Sequence, residues 1–398
     1  MATKPPLNSP KNRSGQSSQT DVLLIYPYFY THAPKAMLFH PLGIGQLAAV
    51  LRKNALHTQV IDCTFENHDD VISKIIHANP RIVGIYVMLS MSENAMKLAA
   101  NIRSALPGAL LTCGGPLPTL KPEQFSTAFD VVFRGESDVS FPRFCLDYVR
   151  SERSPDRLSG CATNLENYPG IYFNDHKNGA VVQIPSESSD KNALDRLPIP
   201  DREDYDHSNY QKFWHDREEL SLASIMTSYG CPFDCDFCSK PIFGNRLRLR
   251  HMDRIFEEIR DIKARGYDGL WIADDCFSLD LDHTRCFCHR LISENLDMAW
   301  FCLSRVDRIS PSDIELWQDS GCRKVFFGLE SGNNDILKLM NKKTTIDDAQ
   351  KTIEQFAQSD IRTAGFFIVG YPGETYETIE NTFEWALSLP LDEVSFTI

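Results

Sequence analysis

A chain of 398 residues is long enough for two or three domains of about 100–200 residues, each with a core of its own. Hydrophobic residues at 42% and charged residues at 24% exclude fibrous and wholly disordered classes. With 54 acidic against 41 basic residues the formal charge is -13, which argues against broad affinity for nucleic acid or anionic membranes and leaves only a local basic groove open.

Met1 to Thr20 is rich in Ser, Pro, Asn, Gln and Lys and reads as a flexible leader. Neither the roughly 7–15 apolar residues of a secretory signal nor the about 20 of a membrane span occur, so a cytoplasmic setting is expected. Twelve cysteines in a long chain, three of them clustered at Cys231, Cys235 and Cys238, fit reduced thiols and a metal better than a crosslinked secreted scaffold.

From Asp21 short apolar runs alternate with amphipathic ones. Val22–Tyr26, Gln59–Asp62, Ile82–Val87, Leu110–Cys113 and Val131–Phe133 read as strands, and Leu42–Lys53, Asp69–Ala78, Asn94–Leu106 and Ser140–Val149 as helices. Five parallel strands over residues 21–150 predict a doubly wound sheet with ligand loops at the strand C-termini. Those loops carry Pro41, Leu42 and Gly43, then Ser90 and Met91, Gly114 and Gly115, and Gly135 and Glu136. Small residues gathered on one edge allow close approach of a bulky cofactor; tight strand exits are the plainer reading of each.

Residues 151–219 are polar and punctuated by Pro169, Gly170, Pro198 and Pro200, a linker to which no chemistry is assigned, with a short hairpin over Ile171–Phe173 and Val181–Val182. The region 220–398 repeats strand and helix again. Its strands are expected at Leu222–Thr227, Gly269–Ala273, Ala299–Leu303, Lys324–Leu329, Thr363–Val369 and Glu393–Ile398, its helices at Arg254–Lys263, Arg285–Asn295, Ser312–Asp319 and Ala349–Ser359. A partial (β/α)6 barrel accounts for the recurrence; a second open doubly wound sheet, with reversed strand order, is the alternative. The last strand meets the end of the given sequence, so either truncation or a partner covering that barrel edge is expected.

The sharpest signal is Cys231-Pro-Phe-Asp-Cys235-Asp-Phe-Cys238, directly after the first barrel strand. One compact loop there can present three thiolates to a [4Fe-4S] cluster and leave one iron open to bind and activate a ligand. Zinc with a fourth ligand from elsewhere and metal-free core cysteines are the alternatives.

This loop resembles the CxxxCxxC signature of the radical S-adenosylmethionine (SAM) superfamily, and the chain as a whole resembles its cobalamin-binding branch. The resemblance implies that Cys231, Cys235 and Cys238 bind the cluster, that SAM completes the open iron, and that reduction cleaves SAM to methionine and a 5′-deoxyadenosyl radical. Within Ile272-Ala-Asp-Asp-Cys-Phe277 it implies that Asp274 and Asp275 contact the SAM amino group or organise the pocket, with helix capping as the alternative. It further implies that Ser304 and Arg305 approach SAM, with a surface salt bridge as the alternative for Arg305, that Glu330 and Ser331 of Phe326-Phe-Gly-Leu-Glu-Ser-Gly332 orient it, and that Gly370 leaves backbone groups near adenine, with a purely conformational glycine as the alternative.

Pro41-Leu-Gly-Ile-Gly-Gln-Leu-Ala-Ala-Val-Leu51, Gly114-Gly115-Pro116 and Arg134-Gly-Glu136 resemble the cobalamin-binding domain of that branch. The Asp-x-His-x-x-Gly motif that supplies a lower histidine ligand in many cobalamin proteins is absent, and His32 and His40 do not reproduce it. The resemblance implies C-methylation of an unactivated carbon in a small molecule or natural-product intermediate, with a reducing donor such as flavodoxin or ferredoxin as partner. Cobalamin-linked cyclisation or oxidation and a non-catalytic iron-sulfur scaffold are the other readings.

Overall fold

The computed structural model describes residues 19–32, 37–150, 165, 167–175, 180–187, 191–240 and 242–398; apart from Gln19 and Thr20, the expected leader lies outside them. In the N-terminal half β1 (Val22–Tyr26), β2 (Thr58–Asp62), β3 (Ile82–Tyr86), β4 (Leu110–Gly114) and β5 (Val131–Phe133) run parallel, followed by the antiparallel β6 (Ile171–Asp175) and β7 (Ala180–Gln183). The order is β2-β1-β3-β4-β5-β6-β7. Strand β2 is added on one side of β1 and β3, β4 and β5 on the other, with all five parallel, and this reversal of strand order makes the sheet doubly wound.

Both faces are apolar because both are covered. Leu23, Ile25, Val83 and Ile85 pack against Val71 and Ile75 of the helix His68–Ala78 and against Leu98 of Ser92–Ala105. Val22, Leu24, Ile82 and Val131 pack on the opposite side against Ile44, Ala48 and Leu51 of Leu42–Lys53 and Phe141 and Phe144 of Ser140–Arg150. The nearly unbroken apolar runs of β1 and β3 follow from this two-sided burial.

The second large sheet contains β8 (Leu222–Ile225), β11 (Gly269–Ile272), β12 (Ala299–Ser304), β13 (Cys322–Glu330), β14 (Arg362–Ile368) and β15 (Glu393–Thr397), all parallel and adjacent in that order. No reversal interrupts it, so the partial barrel holds and the second doubly wound sheet does not. One face, with Ile272, Trp300, Cys302, Val325 and Phe327, packs on the helices Met252–Ala264, Leu281–Ser293, Pro311–Asp319 and Ile346–Phe356. The other face, with Trp271, Phe301, Phe326 and Ala364, packs against Leu38, Tyr210, Phe213 and Trp214.

Residues 205–218, within the stretch expected to be a linker, are therefore more than a connector. Asp206 caps the helix His207–Glu218 by accepting from the Asn209 amide, and Tyr210, Phe213 and Trp214 line its buried face at helical spacing. Trp214 Nε1 donates to the Leu38 carbonyl at 2.7 Å, the Tyr210 hydroxyl to Asp62 Oδ2 at 2.7 Å, and the Tyr205 hydroxyl to the Pro41 carbonyl at 3.0 Å. Tyr267 just before β11 meets both His40 and His207 at 2.8 Å. Burial, reinforced by the charge of Arg202, pushes the His40 pKa well below the usual histidine value and keeps its ring neutral. These bonds hold the loop after β1 against the barrel.

Candidate active site

The cysteine loop hangs from a short ladder. β9 (Ser228–Tyr229) pairs antiparallel with β10 (Arg248–Leu249), closing residues 230–247 into one excursion at the end of β8. Gly230 turns the chain out with φ +79°, where an added Cβ would lie 2.4 Å from the Arg246 carbonyl oxygen. Lys240, nearly buried, donates to the Cys231 carbonyl at 3.0 Å and to that of Phe233, and Asn341 donates to the Asp234 carbonyl at 2.7 Å. Arg305 lies 3.8 Å from the centre of the Phe233 ring.

Cys231 and Cys235 are half-buried, Cys238 is exposed, and all eleven cysteines among the described residues are free thiols. Burial is the main cause pushing the Cys238 thiol up, the neighbouring Lys240 opposing it. Among the described residues no three His, Cys, Asp or Glu side chains converge as a single-ion centre requires. A cluster, by contrast, takes its three thiolates at three separate irons, and a disulfide-free loop of three cysteines fits that demand.

Beneath this loop the polar strand ends are largely bonded to one another. Asp274 is 2% exposed; its Oδ1 accepts from the Thr227 amide at 2.6 Å and its Oδ2 from the Thr227 and Ser228 hydroxyls at 2.5 and 2.7 Å. Its carboxylate thus anchors the root of the cysteine loop, and burial pushes its pKa up against those bonds. Asp275 is the exposed neighbour, its carboxyl raised by desolvation and drawn back by Lys240. Ser304 donates to Ser278 at 2.7 Å. Arg305 is committed to Asp307 through two bonds of 2.9 and 3.0 Å and to the Lys342 carbonyl at 3.0 Å.

Glu330 closes β13 opposite Phe367 of β14, just past a register shift between Gly328 and Glu330, with φ +66°, a strained conformation for a non-glycine residue. Lys342 donates to its Oε1 at 2.6 Å, both side chains being 8% exposed. Ser331 is fully buried, 3.3 Å from the Thr382 hydroxyl and accepting from the Asn333 amide at 3.2 Å, and shapes the turn after β13. The Gly370 amide, expected near adenine, donates to Glu374 at 2.6 Å.

The facing edge of the N-terminal sheet is built differently. Gly115 (φ +116°) and Gly135 (φ +67°) adopt conformations that favour glycine, and a Cβ on Gly115 would lie 2.6 Å from the Val87 carbonyl oxygen. Gly114 is half-buried, Leu42 half-buried, and Gly43 and Ser90 exposed, whereas Met91 and Pro41 are buried in the framework. Leu89, Leu120 and Val139, at the exits of β3, β4 and β5, are 77%, 57% and 57% exposed. Exposed apolar side chains and close-lying backbone at three successive strand ends suit a large flat apolar group.

Glu136 is tied to the barrel: its carboxylate is buried and takes both Nη atoms of Arg248, Nη1 to Oε2 at 2.8 Å, and so bonds to the root of the cysteine loop. Neither Arg248 nor Lys240 was legible as a site residue: each acts on a partner distant in sequence or on a backbone carbonyl, and neither leaves a spacing pattern.

A parallel sheet whose ligand edge meets a partial barrel bearing a three-cysteine loop defines the cobalamin-binding branch of the radical SAM superfamily, and the chain belongs to it. Residues 225–386 match the Radical SAM superfamily and residues 35–144 the B12 binding domain. An uncharacterized methyltransferase of Pyrococcus horikoshii is 30% identical over 368 residues, spanning 90% of this chain and 75% of the relative. The cytidylyl-2-hydroxyethylphosphonate methyltransferase of Streptomyces wedmorensis is 24% identical, over 91% and 77%. The fold is also that of the radical S-adenosylmethionine methyltransferase TsrM from Kitasatospora setae, solved with cobalamin and a [4Fe-4S] cluster: TM-score 0.80, 17% identity, covering 96% of this chain and 72% of that one. The protein is a radical SAM enzyme whose cofactors are a [4Fe-4S] cluster, SAM and cobalamin. No helix among the described residues is long and apolar enough to cross a membrane.

Proposed function

We propose that the protein is a cobalamin-dependent C-methyltransferase acting on an unactivated carbon of a small molecule or natural-product intermediate. The observation that carries this reading is the likeness, over 90% and 91% of this chain, to the two methyltransferase relatives, in a chain that joins a cobalamin-type sheet edge to a three-cysteine loop. When bound, the three cofactors supply reductive cleavage of SAM and carriage of a methyl group, which together bypass deprotonation of the carbon.

The chain's own residues hold and orient those groups. Cys231, Cys235 and Cys238 would hold the cluster, on a loop kept in place by Asp274, Lys240 and Asn341. Asp275 and the Glu330–Lys342 pair offer charge beside that loop for the polar end of SAM. The glycines and exposed apolar residues after β3, β4 and β5 would receive cobalamin. The aromatic inner face, with Phe39 4.8 Å from Trp271 and Phe326 stacked 5.6 Å from Phe366, keeps water from a carbon-centred reaction. Free thiols throughout the described residues suit a reducing, cytoplasmic setting and an external electron donor such as flavodoxin or ferredoxin.

The test is anaerobic incubation of reconstituted enzyme with reductant, methyl-labelled SAM, cobalamin and candidate substrates. A product heavier by one labelled methyl unit is expected. SAM cleavage with an unmethylated cyclised or oxidised product would replace this reading with the cyclase or oxidase one.

A further inference from the structure

We propose that Glu136 and Arg248 form a positioning latch that fixes the cobalamin-binding edge relative to the cluster loop and so keeps methyl delivery in step with SAM cleavage. Glu136 is 8% and Arg248 3% exposed, they are 112 positions apart, and they meet through two parallel N–H···O bonds. A guanidinium fork on a carboxylate fixes angle as well as distance.

Each partner stands at a sensitive point. Glu136 follows Gly135, which leaves β5 at φ +67°, its amide accepted by the Thr119 hydroxyl at 2.9 Å. The loop that carries it therefore belongs to the edge that bears Leu120 and Val139. Arg248 is paired in register with Tyr229, two residues before Cys231, and its guanidinium lies 5.8 Å from the Tyr229 ring centre. Two residues on, the Arg250 amide donates to the Thr227 carbonyl at 3.0 Å and its side chain meets the buried Glu258 at 2.8 Å, which Arg202 also meets at 2.6 Å. Displacing Arg248 thus moves the ladder on which the first cluster cysteine is mounted.

The pair is distinct from the other contacts between the two halves. The bonds of Trp214, Tyr205 and Tyr267 hold the loop after β1, whereas Glu136 to Arg248 runs directly to the ladder below the cysteines. It acts through the loops it joins, as a positioning element.

The coupling readout rests on the methyltransferase reading; two other readouts do not. In reconstituted holoenzyme, the double variant Glu136→Leu with Arg248→Met replaces a buried ion pair by apolar side chains, an exchange that preserves folding in other proteins. Amide hydrogen exchange over residues 228–231 and 246–249 should quicken by about tenfold or more, and the magnetic interaction between the reduced cluster and cob(II)alamin should broaden. The ratio of 5′-deoxyadenosine to methylated product should rise by about tenfold to a hundredfold, the scale a misplacement of about 1 Å allows. Arg248→Lys, which keeps charge but loses the fork, should move all three in the same direction. Wild-type exchange, magnetic interaction and ratio in variants carrying full cluster and cobalamin would overturn the latch. If the wild-type enzyme yields no methylated product, the methyltransferase reading fails while exchange and magnetic interaction still judge the latch.

Discussion

The two sheet edges that face each other solve opposite problems. On the barrel side, Asp274, Ser304, Arg305 and Glu330 are buried and bonded to protein partners, which makes a rigid frame around a small polar ligand and a cluster. On the N-terminal side, glycine backbone and the exposed Leu89, Leu120 and Val139 offer a surface rather than a charge network. A large flat group is recognised by area and close approach, a small charged one by directed bonds.

The contrast can be broken from either side, and the largest effect is expected at the cluster. Cys235→Ala should lose the iron and reduce SAM cleavage to background, measured by iron content and 5′-deoxyadenosine; unchanged cleavage would remove the barrel edge from the chemistry. Asp274→Ala should come next, because it strands the Thr227 amide and two hydroxyls in the interior. A loss of about 2–4 kcal/mol in denaturant unfolding is expected.

Asp138, beside the latch, sharpens the pH behaviour. Burial first, then the Glu136 carboxylate, push its carboxyl up to about 6, against the usual value near 4. The folded state therefore binds the proton more tightly than the unfolded chain. Stability from this group is fully present below about pH 4 and is lost as pH rises through about 6, by on the order of 2–3 kcal/mol. Asp138→Asn should flatten that part of the stability profile, and a profile of unchanged slope would contradict the burial argument.

The smallest effect belongs to the open edge. An added Cβ on Gly43 meets nothing within 4 Å inside the helix Leu42–Lys53, so Gly43→Ala should stabilise the cofactor-free chain by about 0.5–1 kcal/mol. The same methyl group should weaken cobalamin binding, measured by spectral titration. Tighter or unchanged binding would place cobalamin away from this helix.

Much of this frame was legible in the sequence. Val22–Tyr26, Val131–Phe133 and Leu42–Lys53 are bounded as their apolar periods predict, since local pattern and two-sided burial agree there. The helix His207–Glu218 was missed although Asp206 and the Tyr210, Phe213, Trp214 spacing announced it; surrounding prolines and polar residues masked the signal. The cysteine loop was legible because its three ligands share one short segment. The commitments of Asp274, Ser331 and Glu136 were not, because a strand-end residue looks the same in sequence whether it faces a ligand or a partner 46, 51 or 112 positions away.

The most direct test of the central claim, that one chain presents cluster, SAM and cobalamin sites on facing edges, is electron spin resonance of the anaerobically reconstituted, reduced protein with and without SAM. A [4Fe-4S] signal that shifts when SAM is added, together with a cob(II)alamin signal that interacts magnetically with it, is the predicted result. A cluster signal indifferent to SAM, or a cobalamin signal unaware of the cluster, would contradict the account.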